Sequence, residues 1–364
     1  MSRHDGGVPD LSRELGLSEA VVYGVGLILG AGIYAILGEA AGLTGGSVVI
    51  AFVLAAAIAS FTGLSYAELS SMYPKGEGDY LYVREAFEAE VLSTVTALCR
   101  LLMGVISSAA VALAFAGYLS VFLPLSQVGT AMGVVVLMVA VNFWGIDLST
   151  KLNVTFTAIE VLGLLIVVWL GAGSWGSVDV FHAPQGTFGV VEASFLIFFA
   201  YLGFGSIVNV SEETEDASAT IPRAIVLSIV ITTVLYALVS LSAVALVDWR
   251  ALGESASPLA DVAMAGWGET GATVVAIIAL FATTNTVLIL QVSTSRLLYG
   301  VSKAEYGVFP TQFSRVHPSR RTPHYAVALV GAVTLPFVLL GDVGVVAGLA
   351  NVMLLVVFVL VNAA

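Results

Sequence analysis

Ten apolar runs follow one another along this 364-residue chain, most of them near twenty residues long. About twenty apolar residues is the length a helix needs to cross the hydrocarbon core of a bilayer. The runs fall at roughly 19–42, 46–70, 88–123, 127–145, 150–172, 189–210, 222–247, 270–295, 323–340 and 343–363. Lipid offers no partner for a backbone N–H or C=O, so each run is expected to be a helix; a membrane barrel would show short alternating segments instead. Composition agrees. With 59% hydrophobic residues, 10% charged residues and a mean hydropathy of +1.01, the chain has too few charges to cover a soluble surface. The expected fold is all-α and integral to the membrane, a single unit of about ten transmembrane helices. Pro9, Pro74, Pro184, Pro222, Pro258, Pro310, Pro318 and Pro323 sit at or between the proposed ends, and Pro336 is the interior exception.

Orientation follows from lysine and arginine. With the N-terminus inside, Arg3, Arg13, Lys75, Arg84, Lys151, Arg223, Arg296, Lys303, Arg315, Arg320 and Arg321 all fall on the cytoplasmic side, Arg250 alone falls outside, and Arg100 lies within the third span. A missed span would scramble this bias. The chain is thus expected to be a multi-pass protein of the cell membrane with a cytoplasmic N-terminal segment, 1–18. That segment is polar, and the run after it is longer than a signal-peptide core and lacks a small-residue cleavage site. The single cysteine, Cys99, excludes an internal disulfide and a cysteine metal cluster. His4, His182, His317 and His324 form no ligand motif, so no metal or other cofactor is expected. The net charge of −12 gives no reason to expect a nucleic-acid partner.

Two spans carry glycine punctuation. Span one reads Gly24-Val25-Gly26-Leu27-Ile28-Leu29-Gly30-Ala31-Gly32-Ile33-Tyr34, and span six reads Phe199-Ala200-Tyr201-Leu202-Gly203-Phe204-Gly205-Ser206. An isolated glycine pair would be read as close helix packing. Here the positions argue for more. Span one opens the first five helices, 19–172, and span six opens the second five, 189–364, after an outer loop at 173–188. Five is odd, so the second set enters from the opposite face, which makes an inverted repeat possible. Paired interruptions at corresponding places in two inverted halves point to a central binding site. Unwinding frees amides at one half-helix N-terminus, where the dipole also favours an anion, and carbonyls at the other end, which suit a cation. A zwitterion carries both charges close together.

These residues resemble the amino acid–polyamine–organocation transporter family. Gly30-Ala31-Gly32-Ile33-Tyr34 is similar to the Gly-x-Gly-Ile signature of its first helix. Ser65-Tyr66-Ala67-Glu68-Leu69 and Tyr73-Pro74-Lys75-Gly76-Glu77-Gly78-Asp79-Tyr80 resemble the segment after helix two. Phe198 to Phe204, then Glu212-Glu213-Thr214 and Ile221-Pro222-Arg223-Ala224-Ile225, resemble helix six and its exit. Ser295 to Gly300, Gly307-Val308-Phe309-Pro310 and Thr322-Pro323-His324 resemble the segment after helix eight. The resemblance implies a five-plus-five inverted fold with broken helices one and six, and secondary transport of amino acids driven by H+ or Na+. It also implies that Gly30, Ala31, Gly32 and Ile33 offer backbone amides to a substrate carboxylate and that the carbonyls of Phe199, Ala200 and Leu202 face the ammonium. Phe199, Tyr201 and Phe204 would gate the pocket, although a lone aromatic is more often packing. The chain departs from the family in three places: ten spans stand where twelve are usual, Glu77 splits the glycine pair after Pro74, and Gly205 stands where relatives carry an acidic residue. With no acidic cluster at the breaks, a neutral substrate is expected over a cationic one.

An ionisable group at mid-bilayer is costly and so a candidate for function. Glu39 and Glu192 fall near the outer surface, Glu68 at the inner end of span two, and Arg100 at the inner boundary, from where it can snorkel. Glu160 differs. It follows Lys151 by nine residues, about 13–14 Å along a helix, which puts it near mid-membrane. In some prokaryotic members of the family a lysine stands near this point. Glu160 is compatible with proton exchange, with a sodium site shared with Thr283 or Thr284 of span eight, or with a purely structural hydrogen bond. An amino-acid sensor and a channel are the rivals to a carrier. No filter-like repeat or charge ring suggests a channel, and no metalloprotease histidine pair or Gly-x-Ser-x-Gly elbow suggests an enzyme.

Overall fold

The computed structural model describes residues 15–73, 78–144, 150–303, 308–320 and 322–364. Arg3, Arg13, Pro74, Lys75, Gly76, Glu77, Gly307 and Arg321, on which part of the motif and charge reading rests, lie outside the described residues. Among the described residues every regular element is helical, with one isolated backbone bridge between Leu15 and Thr214. Eight helical stretches are long and apolar enough to cross a membrane, and two shorter apolar helices, Leu17–Leu29 and His324–Val338, accompany them.

The ten expected runs appear as ten rods. The first is split into α1 (Leu17–Leu29) and α2 (Gly32–Thr44). Next come α3 (Val48–Met72), the short polar α4 (Gly78–Phe87), α5 (Glu90–Leu119), α6 (Gln127–Trp144) and α7 (Thr150–Gly171). The sixth rod begins as α8 (Gly186–Ile197) and continues as a 3-10 segment, Phe198–Glu213. It is followed by α9 (Ala217–Leu246), the short α10 (Trp249–Glu254), α11 (Pro258–Val301), α12 (His324–Val338) and α13 (Val343–Ala363). Two boundaries differ from the sequence expectation. The seventh rod starts at Ala217, so Pro222 lies inside α9 as its sixth residue, where it has no N–H to give to the Ser218 carbonyl. The eighth run was expected from 270, whereas α11 runs from Pro258 through Gly268, whose φ of +71° joins two helical pieces across a kink. Such a φ is accessible to glycine without a steric cost.

The helices pair in a regular way. α3 packs on α9, α5 on α11 and α6 on α12; α13 lies on α5, and α7 lies on α11. Small residues let the rods approach closely, as expected in a bundle without a hydrophobic drive between its helices. A Cβ at Gly104 of α5 would lie 2.1 Å from the Thr294 hydroxyl of α11, and one at Gly171 of α7 would lie 2.3 Å from the Ser242 Cβ of α9. Large apolar side chains such as Phe61, Leu162 and Val230 point outward, while Gln291, Ser108 and Thr334 hydrogen-bond one another inside. This polarity suits an apolar solvent around the bundle.

Candidate functional site

The two interrupted rods meet at their interruptions. α1 ends at Leu29, Gly30 takes φ −33° and ψ −166°, and the helix restarts at Gly32. The sixth rod leaves α geometry at Phe198, the first residue of the aromatic-glycine motif. A Cβ at Gly32 would lie 2.7 Å from the Ala200 Cα, and one at Gly203 would lie 2.0 Å from the Leu27 carbonyl oxygen. Both glycines are therefore needed for backbone to touch backbone between the breaks. The Tyr236 hydroxyl of α9 spans them. It is 2.9 Å from the Ile28 carbonyl oxygen and 3.3 Å from that of Ala200, and its single proton goes to one at a time.

The freed amide of Ala31 donates to the Thr286 hydroxyl of α11 at 3.1 Å. Beside it, Glu160 of α7 is buried, with Asn285 of α11 as its side-chain hydrogen-bonding neighbour. One Glu160 oxygen, Oε1, and the Asn285 Oδ1 are buried without a partner. The Tyr34 hydroxyl donates to the Glu160 backbone carbonyl at 3.1 Å, and the Tyr118 hydroxyl donates to that of Tyr34 at 3.1 Å. This chain of contacts ties α2, α5 and α7 together above the first break.

The residues singled out from sequence are distributed as follows. Gly30, Ala31, Gly32 and Ile33 form the first break and its restart, with Ala31 and Ile33 fully buried. Phe199, Ala200 and Leu202 lie in the 3-10 segment, with Phe199 and Ala200 buried. The Tyr201 hydroxyl lies 3.3 Å from the Thr233 hydroxyl and 3.4 Å from the Phe52 carbonyl oxygen. Phe204 packs edge-on against Tyr66 and at a tilt against Phe358, and all three rings are buried. Thr283 donates to the Ala279 carbonyl of its own helix at 2.7 Å, and Thr284 is half-buried. Of that polar run, Asn285 and Thr286 are the residues at Glu160 and the first break. The polar run in the middle of span eight is Thr283-Thr284-Asn285-Thr286, of which the sequence reading carries Thr283 and Thr284 forward as ion-coupling residues; Tyr34 and Tyr236 are not among its site residues. Helical phase decides which of four adjacent polar residues faces the break, and a single sequence does not fix that phase.

Two further features flank the breaks. At the α4 end of the bundle, the Arg100 Nε lies 3.1 Å from Asp79, and its Nη2 lies 3.4 Å from the Ser206 hydroxyl. The Tyr66 hydroxyl donates to the other Asp79 oxygen. At the opposite end, a cavity of about 170 Å3 reaches down to Tyr34 and is lined by Gly38, Glu39, Glu254 and Asp342 among others, with no basic residue. Its field favours cations. Among the described residues no three metal-ligating side chains converge.

Comparison with known proteins accords with this geometry. The family model described as amino acid permease matches residues 15–364. An uncharacterized transporter of Mycobacterium tuberculosis is 32% identical over 98% of this chain and 80% of its own length. A branched-chain amino acid permease of Bacillus subtilis is 26% identical over 98% of this chain and 81% of its own. The human cationic amino acid transporter 4 is 30% identical over 91% of this chain and 56% of its own. A match of the family model over nearly the whole chain, on a helical membrane fold broken at the two motif positions, makes this chain a member of the amino acid permease family of the amino acid–polyamine–organocation transporters.

Proposed function

We propose that this protein is a secondary active transporter that carries neutral amino acids across the cell membrane, coupled to H+ or Na+. The observation that carries the reading is the contact of two broken helices, Gly32 on Ala200 and Gly203 on Leu27. It gathers freed amides and freed carbonyls at one point, as a zwitterion requires. The amides of Gly30 to Ile33 take the carboxylate, with Thr286 holding the Ala31 amide until the substrate arrives. The carbonyls of Phe199, Ala200 and Leu202 take the ammonium. The rest of the substrate then meets apolar walls, which favours a neutral side chain. The name of the Bacillus relative, a branched-chain amino acid permease, points the same way, and that of the human relative, cationic amino acid transporter 4, points to a cationic substrate.

Glu160, with Asn285, is the proposed seat of the coupling ion. Thr283 and Thr284 lie within one turn of Asn285 and complete the polar run of α11. The two halves, 19–172 and 189–364, are proposed to be the moving repeats, with the N-terminus in the cytoplasm. The acidic cavity above Tyr34 is then the outer vestibule. The test is uptake of labelled leucine and labelled lysine into proteoliposomes under imposed proton and sodium gradients. Leucine is expected to accumulate under one of the two gradients. Accumulation of lysine without leucine would overturn the neutral assignment.

A further inference from the structure

Asn351 sits in α13, in a stretch otherwise built of alanine, leucine, valine and methionine, and it is fully buried. Its side-chain amide donates to the Phe195 carbonyl oxygen at 2.6 Å and reaches that of Leu196 at 3.3 Å. Those carbonyls belong to the last turn of α8, at the point where the sixth rod passes into its 3-10 segment. The other end of the amide, Oδ1, is buried without a partner. A buried amide with its acceptor unused is unfavourable unless something else is gained.

Its place in the fold shows what is gained. Asn351 is the ninth residue of α13, counting from Val343, and Glu160 is the eleventh of α7, counting from Thr150. α7 is the fifth rod and α13 the tenth. α7 lies on α11 and touches α1, whereas α13 lies on α5 and touches the 3-10 segment. Exchanging the two halves exchanges these neighbours: α1 for the sixth rod, α11 for α5, α7 for α13. Each of the two side chains keeps one buried oxygen without a partner. One is a carboxylate beside the first break, the other a neutral amide beside the second.

We propose that Asn351 is a positioning residue for the second break, the neutral counterpart of Glu160 in the other half. This rests on the reading of the two breaks as the substrate site. A 3-10 helix has poorer hydrogen-bond geometry than an α-helix and seldom exceeds three or four residues, yet this one spans 16. It therefore needs tertiary support at its start. The Asn351 amide fixes the last carbonyls of α8 and so fixes where the α-helix stops. If α8 rewinds by three residues, the difference between rises of 2.0 and 1.5 Å shifts the following carbonyls by about 1.5 Å. Those are the carbonyls of Phe199, Ala200 and Leu202.

Two readouts on the full chain carry the test. The first is hydrogen–deuterium exchange in residues 196–203, with amino acid absent. Asn351→Leu has similar volume and no donor, and it is expected to raise exchange there about tenfold while leaving α7 peptides unchanged. Exchange at the wild-type level would overturn the proposal, whether or not any amino acid is carried. The second is the KM for leucine in proteoliposomes, expected to rise about tenfold with the maximal rate retained. A loosened break with an unchanged KM would equally overturn the positioning role. Leucine left untouched by the wild-type protein would count against the substrate reading, and the exchange result would then decide on Asn351 alone. Should Asn351→Leu fail to fold, Asn351→Ala removes the donor without adding volume or charge and carries both readouts.

Discussion

Glu160 shows how one residue is selected by its surroundings. It is an acid among apolar neighbours in its rod, and among the described residues the side chain that hydrogen-bonds its carboxyl is an amide, Asn285. One oxygen on each has no donor facing it. A buried oxygen that no donor meets is costly unless a proton or a cation reaches it. We therefore propose coupling over a purely structural hydrogen bond, which would have brought a donor to each oxygen. Glu160→Gln supplies that donor and removes the titration. Gradient-driven uptake is expected to fall at least tenfold, while exchange without a gradient persists. An unchanged ion dependence in this variant would remove Glu160 from the mechanism. The burial of Glu160 accords with its apolar neighbours in the sequence. Its partner was not legible there, because Asn285 and Thr286 reach the site through the rotation of α11, which only the packed bundle determines.

The elements divide into those that sequence describes well and those that packing decides. All ten rods and both interruptions were legible, because lipid forces apolar runs into helices and glycine marks where a helix opens. The form of the second interruption was not. A 16-residue 3-10 segment has no distinctive composition, and it persists through contacts with α3, α9 and α13. Asp79 was likewise unremarked within its motif, and Arg100 was read as snorkelling to the interface. The fold brings them together: α4 delivers Asp79 to Arg100 of α5 and to Tyr66 of α3, and Arg100 reaches on to Ser206 in the 3-10 segment. Three elements thus close around the second half of the sixth rod. Removing one partner of a largely buried pair leaves an uncompensated charge, at a cost of about 3 kcal/mol. Asp79→Asn is expected to lower the unfolding temperature in detergent, and Asp79→Arg combined with Arg100→Asp is expected to recover part of the loss. A transition temperature unaffected by Asp79→Asn would mean that the pair holds nothing together.

At the scale of the whole molecule, we propose two five-helix halves working about paired breaks, with the acidic cavity at one end as a vestibule and the Asp79–Arg100 pair at the other. The proposed membrane orientation rests on the basic residues, eleven on one side against Arg250 on the other. In a Cys99→Ser background, a cysteine at Ser319 is expected to resist an impermeant maleimide added to whole cells, and one at Ser177 is expected to react. Labelling of the Ser319 position from outside would reverse the assignment. The central claim is that the paired breaks bind an amino acid and carry it, rather than sense it or open a pore. Counterflow tests this most directly: proteoliposomes loaded with unlabelled leucine, labelled leucine outside, and no ion gradient. The wild-type protein is expected to accumulate label transiently, and Gly32→Val, which drives a side chain into the Ala200 backbone, is expected to abolish that accumulation while still inserting in the membrane. Counterflow at the wild-type rate in Gly32→Val would contradict the account.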